Sequence, residues 1–162
     1  MYLLDTNMLK LFVHQHPGVV QRIAENRQQV WLSSVAAEET LKGCMSDMNK
    51  ACAPRSGLSL PLAHSDFADA LANLRFFPLY VYGDEAEAIY RTFPKAIIRL
   101  GPQDCRIAAQ DSTMRSNLCE LAHGFTVVTR NLSDFEGIGQ VAWIGAGSEV
   151  SNAPTLFRRA LV

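Results

Sequence analysis

Short apolar runs recur along this chain, separated by stretches with helical signals, and that alternation constrains the fold more than any other feature. The strand-like segments are residues 2–5, 29–34 (QVWLSS), 76–82 (FFPLYVY), 125–130 (FTVVTR) and 140–144 (QVAWI). Strands alternating with helices imply an α/β fold with a central, mainly parallel β-sheet flanked by α-helices.

The helical segments carry their own punctuation. Residues 7–15 place Met8, Leu11, Phe12 and Gln15 on one helical face. Pro17 opens a helix over about 17–27. Ser33 or Ser34 caps a helix that runs through Leu41 and Met45 towards Met48. Residues 53–66, which hold Pro54, Gly57 and Pro61, read as a loop between antiparallel helices, with Ser65 capping a helix over about 66–75. Asp84 starts another helix, and Gly101-Pro102 signals the start of the next.

At 162 residues the chain is long enough for one domain with a sizeable core, and 48% apolar with 19% charged residues is a globular balance. The expected division is a domain over 1–145 and a C-terminal tail over 146–162. No apolar run reaches membrane-spanning length, and the first residues lack the pattern of a secretory leader. A cytoplasmic protein with no membrane partner is the expectation. Cys44, Cys52, Cys105 and Cys119 form no CxxC pair and have no close His partner, which speaks against structural zinc or a disulfide framework and for reduced, mostly buried thiols. A net charge of −1, from 15 basic and 16 acidic residues, excludes nucleic-acid binding by bulk charge alone. It is compatible with a nuclease, in which clustered acids lower the net charge while basic residues elsewhere grip phosphate.

Several acids fall where an α/β sheet gathers its functional groups, beyond the carboxyl ends of the strands. Asp5 ends the first strand, Glu38 and Glu39 follow the second, Asp104 lies in the first turn of its helix, and Asp134 follows the segment ending at Thr129. Each has a structural explanation. Asp5 can cap the next helix, Glu38, Glu39 and Asp104 can answer a helix dipole, and Asp134 can serve a turn. Taken together they would repel one another unless a hard divalent cation sat among them, and Mg²⁺ or Mn²⁺ held by oxygen ligands suits phosphate chemistry. Asp111 shares a helical face with Asp104 and could join the site, but solvent exposure or a salt bridge is its expected role. Ser33 is expected as a cap rather than a nucleophile. His14, His16, His64 and His123 are scattered and read as surface or structural residues. Arg99, Arg106, Arg115 and Arg130 are candidates for phosphate contact, Arg130 the best placed.

In order along the chain, LLDTN, SSVAAEETLKG at 33–43, DCRIAAQ at 104–110 and VVTRNLSDF at 127–135 resemble the motifs of PIN-domain ribonucleases, with the VapC-like toxins of bacterial toxin–antitoxin pairs the nearest resemblance. The likeness spans residue 1 to about 144. It implies a PIN-like fold and a Mg²⁺-dependent endoribonuclease, with Mn²⁺ as a substitute, that hydrolyses RNA by metal-activated water. It also implies an antitoxin that blocks the site, and a homodimer. Residue by residue, Asp5, Glu39, Asp104 and Asp134 match the catalytic, metal-holding acids, and Asn7 and Thr129 match supporting polar positions. Glu39 is chosen over Glu38 because it stands six residues after Ser33 and four before Gly43. Thr40 departs from the leucine usual there. Alternatives are a PIN nuclease of RNA processing with no toxin role, a metal-free binding module, and a phospho-acceptor receiver domain. The last would need a strand-end Lys facing the acid, and the late strands offer none.

Overall fold

A strand buried on both faces has no polar side to show, and Tyr2-Leu3-Leu4 is buried at every position. In a computed structural model, which describes residues 1–54, 56–117, 126–129 and 143–145, this strand, β1 (Tyr2–Leu4), lies at the centre of the sheet. Around it stand β2 (Val30–Ser33), β3 (Leu79–Tyr80), β4 (Thr126–Thr129) and β5 (Trp143–Gly145), in the order β3-β2-β1-β4-β5. Every adjacent pair runs parallel, with Leu3 opposite Trp31 on one side and Val127 on the other.

The described helices are α1 (Thr6–Val13), α2 (Pro17–Glu25), α3 (Ser34–Ala51), α4 (Leu60–Leu74), α5 (Asp84–Tyr90), α6 (Lys95–Leu100) and α7 (Pro102–Asn117). α3 packs along α4, and α7 packs on α5, α6, α3 and β4. The core is built from Leu3, Leu4, Leu32 and Val127 of the sheet with Met8, Leu9, Ile23, Val35, Ile107 and Ala108 of the helices. No helix among the described residues is long and apolar enough to cross a membrane.

Several boundaries differ from those read in the sequence. α4 begins at Leu60, not near 66, and its cap is Ser59, whose hydroxyl accepts from the Leu62 amide. Pro61 therefore opens a helix rather than marking a loop, because the first turn needs no amide donor from it. α1 stops at Val13, and Gln15 lies beyond it in the left-handed region (φ 56°), exposed rather than on the buried face. The segment from Asp84 splits into α5 and α6, with Pro94 as the cap of the second. β3 is two residues long, at the sheet edge. Cys105 is buried, but Cys44 is only partly buried and Cys52 is exposed. Cys119, His123 and the tail expected over 146–162 lie outside the described residues.

Candidate active site

The chain order makes one crevice special. From β1 the chain steps outward to β2 and β3, then returns to the other side of β1 with β4 and β5. At such a reversal the connections leave in opposite directions, so a gap opens beyond the carboxyl ends of the two strands on either side. Asp5 follows Leu4, which is paired with Val128 of β4, so Asp5 stands at this gap.

Asp5 is also the N-cap of α1. Its Oδ1 accepts from the Met8 amide at 2.7 Å. Its relative exposure of 1% means that water does little of the solvation. A charged carboxylate so enclosed is stabilised by donors and by the positive end of α1. The capping reading is thus correct, and it leaves Asp5 held rigidly at the mouth of the gap.

The neighbouring residue, Thr6, brings in the second acid. Its hydroxyl donates to Glu39 Oε2 at 2.6 Å, joining the start of α1 to the second turn of α3. Glu38 turns elsewhere: its Oε1 lies 2.5 Å from Lys42 Nζ on the exposed side of α3. Successive helical residues point about 100° apart, so only one of the two can reach α1. Nothing in the sequence marks Thr6 beyond its place after Asp5. Asn7 is half-buried in the first turn of α1.

Asp104 sits in the first turn of α7, where the helix dipole favours an anion. Its carboxylate lies back over Gly101: a Cβ there would come 2.9 Å from Asp104 Oδ2. The start of α7 faces the start of α3 across a shared cleft. A buried clamp holds the two helices and the strand ends together. The Ser33 hydroxyl caps α3 by accepting from the Val35 and Ala36 amides, and donates to Gln110 Oε1. Gln110 Nε2 in turn donates to the Tyr80 carbonyl at 2.9 Å. Ser33, with its oxygen so engaged, is a structural residue and not a nucleophile. Gln110 was legible only as one polar position in DCRIAAQ.

No family model matches the chain, and no curated protein does. Solved structures do. The DNA-bound VapBC of Salmonella typhimurium aligns over 89% of this chain and 96% of its own, with TM-score 0.65 and 21% identity. FitAcB of Neisseria gonorrhoeae aligns over 90% and 97%, with TM-score 0.60 and 21% identity. A toxin–antitoxin complex of Klebsiella pneumoniae aligns over 88% and 96%, with TM-score 0.57 and 17% identity. The chain adopts the PIN-like fold.

Within that PIN-like frame Glu39 of α3 meets the start of α1 beside Asp5, and Asp104 lies in the first turn of α7, whose start shares a cleft with the start of α3. Among the described residues, no three of His, Cys, Asp or Glu stand close enough to hold one metal ion together. The donor set is nonetheless all oxygen, and Mg²⁺ commonly takes one or two carboxylates and keeps its waters, so these residues fit such an ion. Asp134, Arg130 and the side chain of Thr129 lie outside the described residues; Thr129 ends β4. Asp111 is fully buried, which rules out solvent exposure, one of the two roles expected for it, and leaves the ionic one. Its charge acts on the Met1 amino group, pulling up a pKa that burial lowers. That puts it towards the opposite end of β1 from Asp5. His14, His16 and His64 are exposed, as surface residues should be.

Proposed function

We propose that the chain is a divalent-metal-dependent endoribonuclease and the toxin half of a VapBC-type toxin–antitoxin pair. The observation that carries this reading is the junction at the sheet's reversal point. There Asp5 is fixed as a buried cap and Thr6 binds Glu39 from α3, while Asp104 lies in the first turn of α7. The shared fold with VapBC and FitAB complexes supports the toxin assignment.

The residues divide the work. Asp5 and Asp104 would bind the ion directly, with Glu39 and Asp134 completing the pocket through its waters. When bound, Mg²⁺ or Mn²⁺ supplies a lowered pKa for water and positive charge for the departing oxygen. The chain itself supplies placement. The Met8 amide aims Asp5, the Thr6 hydroxyl aims Glu39, and Gly101 leaves room for the Asp104 carboxylate. Hydrolysis adds water across the P–O3′ bond in line, leaving a 5′-phosphate and a 3′-hydroxyl, and needs no side-chain nucleophile. An antitoxin that occupies the acidic site, and a homodimer, belong to the same proposal.

Expression without a partner should arrest growth, and the near-isosteric Asp104→Asn should abolish the arrest while keeping the fold. Purified wild type should cut RNA with Mg²⁺, and Asp5→Asn should weaken Mn²⁺ binding strongly. A harmless wild type that still cuts RNA would point to RNA processing instead. A purified protein that cuts no RNA with any divalent metal would refute the nuclease reading.

A further inference from the structure

Between the starts of α3 and α7 lies a cleft of about 340 Å³, lined by Ser34, Glu38 and Lys42 of α3, Tyr82, and Gln103 and Arg106 of α7. It uses the residues next to the candidate acids: Glu38 precedes Glu39, and Gln103 precedes Asp104. The cleft therefore opens on the flank of the same two helix starts. We propose that it is the subsite for a nucleotide adjoining the scissile phosphate in single-stranded RNA, with Arg106 and Lys42 on phosphate and the Tyr82 ring under the base. This inference rests on the nuclease reading and names where its substrate lies.

The cleft is built from groups already held in place. Tyr82 is tied at both ends: its amide donates to Ser34 Oγ at 2.9 Å, and its phenol donates to Glu87 Oε2 at 2.8 Å. A ring so fixed loses little freedom when a base stacks on it. Arg106 donates through Nη1 to Gln103 Oε1 at 2.8 Å, and its guanidinium lies 5.0 Å from the Tyr90 ring centroid. That leaves donors of a five-donor planar fork for a phosphate. Lys42 is paired with Glu38, but both side chains are at least half exposed (65% and 50%), so the pair is weak and phosphate can compete for the ammonium. Glu38 would repel a second phosphate and accept from a base amino group, which orients the nucleotide. Fixed aromatic rings beside cations are how proteins hold unpaired RNA, since every base has a face to stack.

The test uses the full chain with Asp104→Asn as the uncleaving parent. Binding of a labelled single-stranded oligoribonucleotide is followed by fluorescence anisotropy over a series of salt concentrations. Arg106→Gln and Lys42→Gln should each weaken binding by about 3- to 10-fold and reduce the slope of log affinity against log salt by roughly 0.7. Tyr82→Leu should weaken it about tenfold without changing the slope, and Tyr82→Phe, which keeps the ring and the backbone tie to Ser34 but loses the phenol's bond to Glu87, should restore most of it. Circular dichroism of each variant guards against misfolding. If all the variants bind RNA like the parent while wild type still cuts RNA, the subsite is wrong and the nuclease reading stands. If they keep RNA affinity but lose a co-expressed protein partner, the cleft is a protein site and the proposal is overturned. If the parent binds no RNA and wild type cuts none, the nuclease reading fails, and the subsite with it.

Discussion

Replacing Thr6 by Val tests whether Glu39 is held at the end of β1. The substitution keeps the shape of a side chain that is 6% exposed and removes only the hydroxyl that donates to Glu39. A hydrogen bond to a charged group contributes about 1.5–3 kcal/mol when both partners are well buried. Glu39 is exposed, so its carboxylate can return to water, and the loss should be nearer ~1 kcal/mol. In a domain of this size that lowers the melting temperature by about 2–4 °C. The decisive measurement is a double-mutant cycle in metal-free protein, combining Thr6→Val with Glu39→Gln and, as a control, with Glu38→Gln. Thr6 and Glu39 should show a coupling of roughly 0.5–1 kcal/mol, while Thr6 and Glu38 should add independently. Mn²⁺ affinity should fall in Thr6→Val and stay near wild type in Glu38→Gln. A Thr6–Glu39 coupling indistinguishable from zero would show that the bond does not persist in solution. The placement of Glu39 at the acidic site would then have no support.

Three further substitutions probe the supports of the acids and the end of α1. Gly101→Ala would set a Cβ 2.9 Å from Asp104 Oδ2, and the backbone there (φ −159°) accepts alanine. Stability should change by less than about 1 kcal/mol in thermal melts while RNA cleavage falls about tenfold, since the carboxylate and not the fold must move; unchanged cleavage would show that its position is uncritical. Gln110→Leu severs the clamp between Ser33 and the Tyr80 carbonyl, and should cost about 2–4 kcal/mol in urea denaturation because buried polar groups lose their partner. A loss under about 1 kcal/mol would mean that the clamp is dispensable. Gln15→Gly relieves a left-handed residue after α1, and should stabilise by roughly 0.5–1 kcal/mol in urea denaturation, the net of relieved crowding and added chain entropy; no gain would show that the turn carries no strain.

What the sequence determined by itself is local. Apolar runs and capping residues placed the strands and most helix starts, because a cap, a proline or a glycine acts on its own few residues of backbone. Asp5 as cap, Ser33 as cap, Asp84 and Gly101-Pro102 as helix starts all stand in the structure. Where such signals were ambiguous, as with Pro61 and Ser65, the same residue types fit a loop or a helix start, and packing of α4 along α3 decided. The order of acids along the chain was also legible, together with the rule that strand ends collect functional groups. The tertiary structure alone decided which groups meet. Thr6 and Glu39 are 33 residues apart, and Ser33 and Gln110 are 77 apart. No local preference records such pairs. They exist because β1 is sandwiched between β2 and β4, which fixes where α1, α3 and α7 begin relative to one another. The cleft holding Tyr82, Lys42 and Arg106 arises in the same way, from helix starts that only the parallel sheet brings side by side.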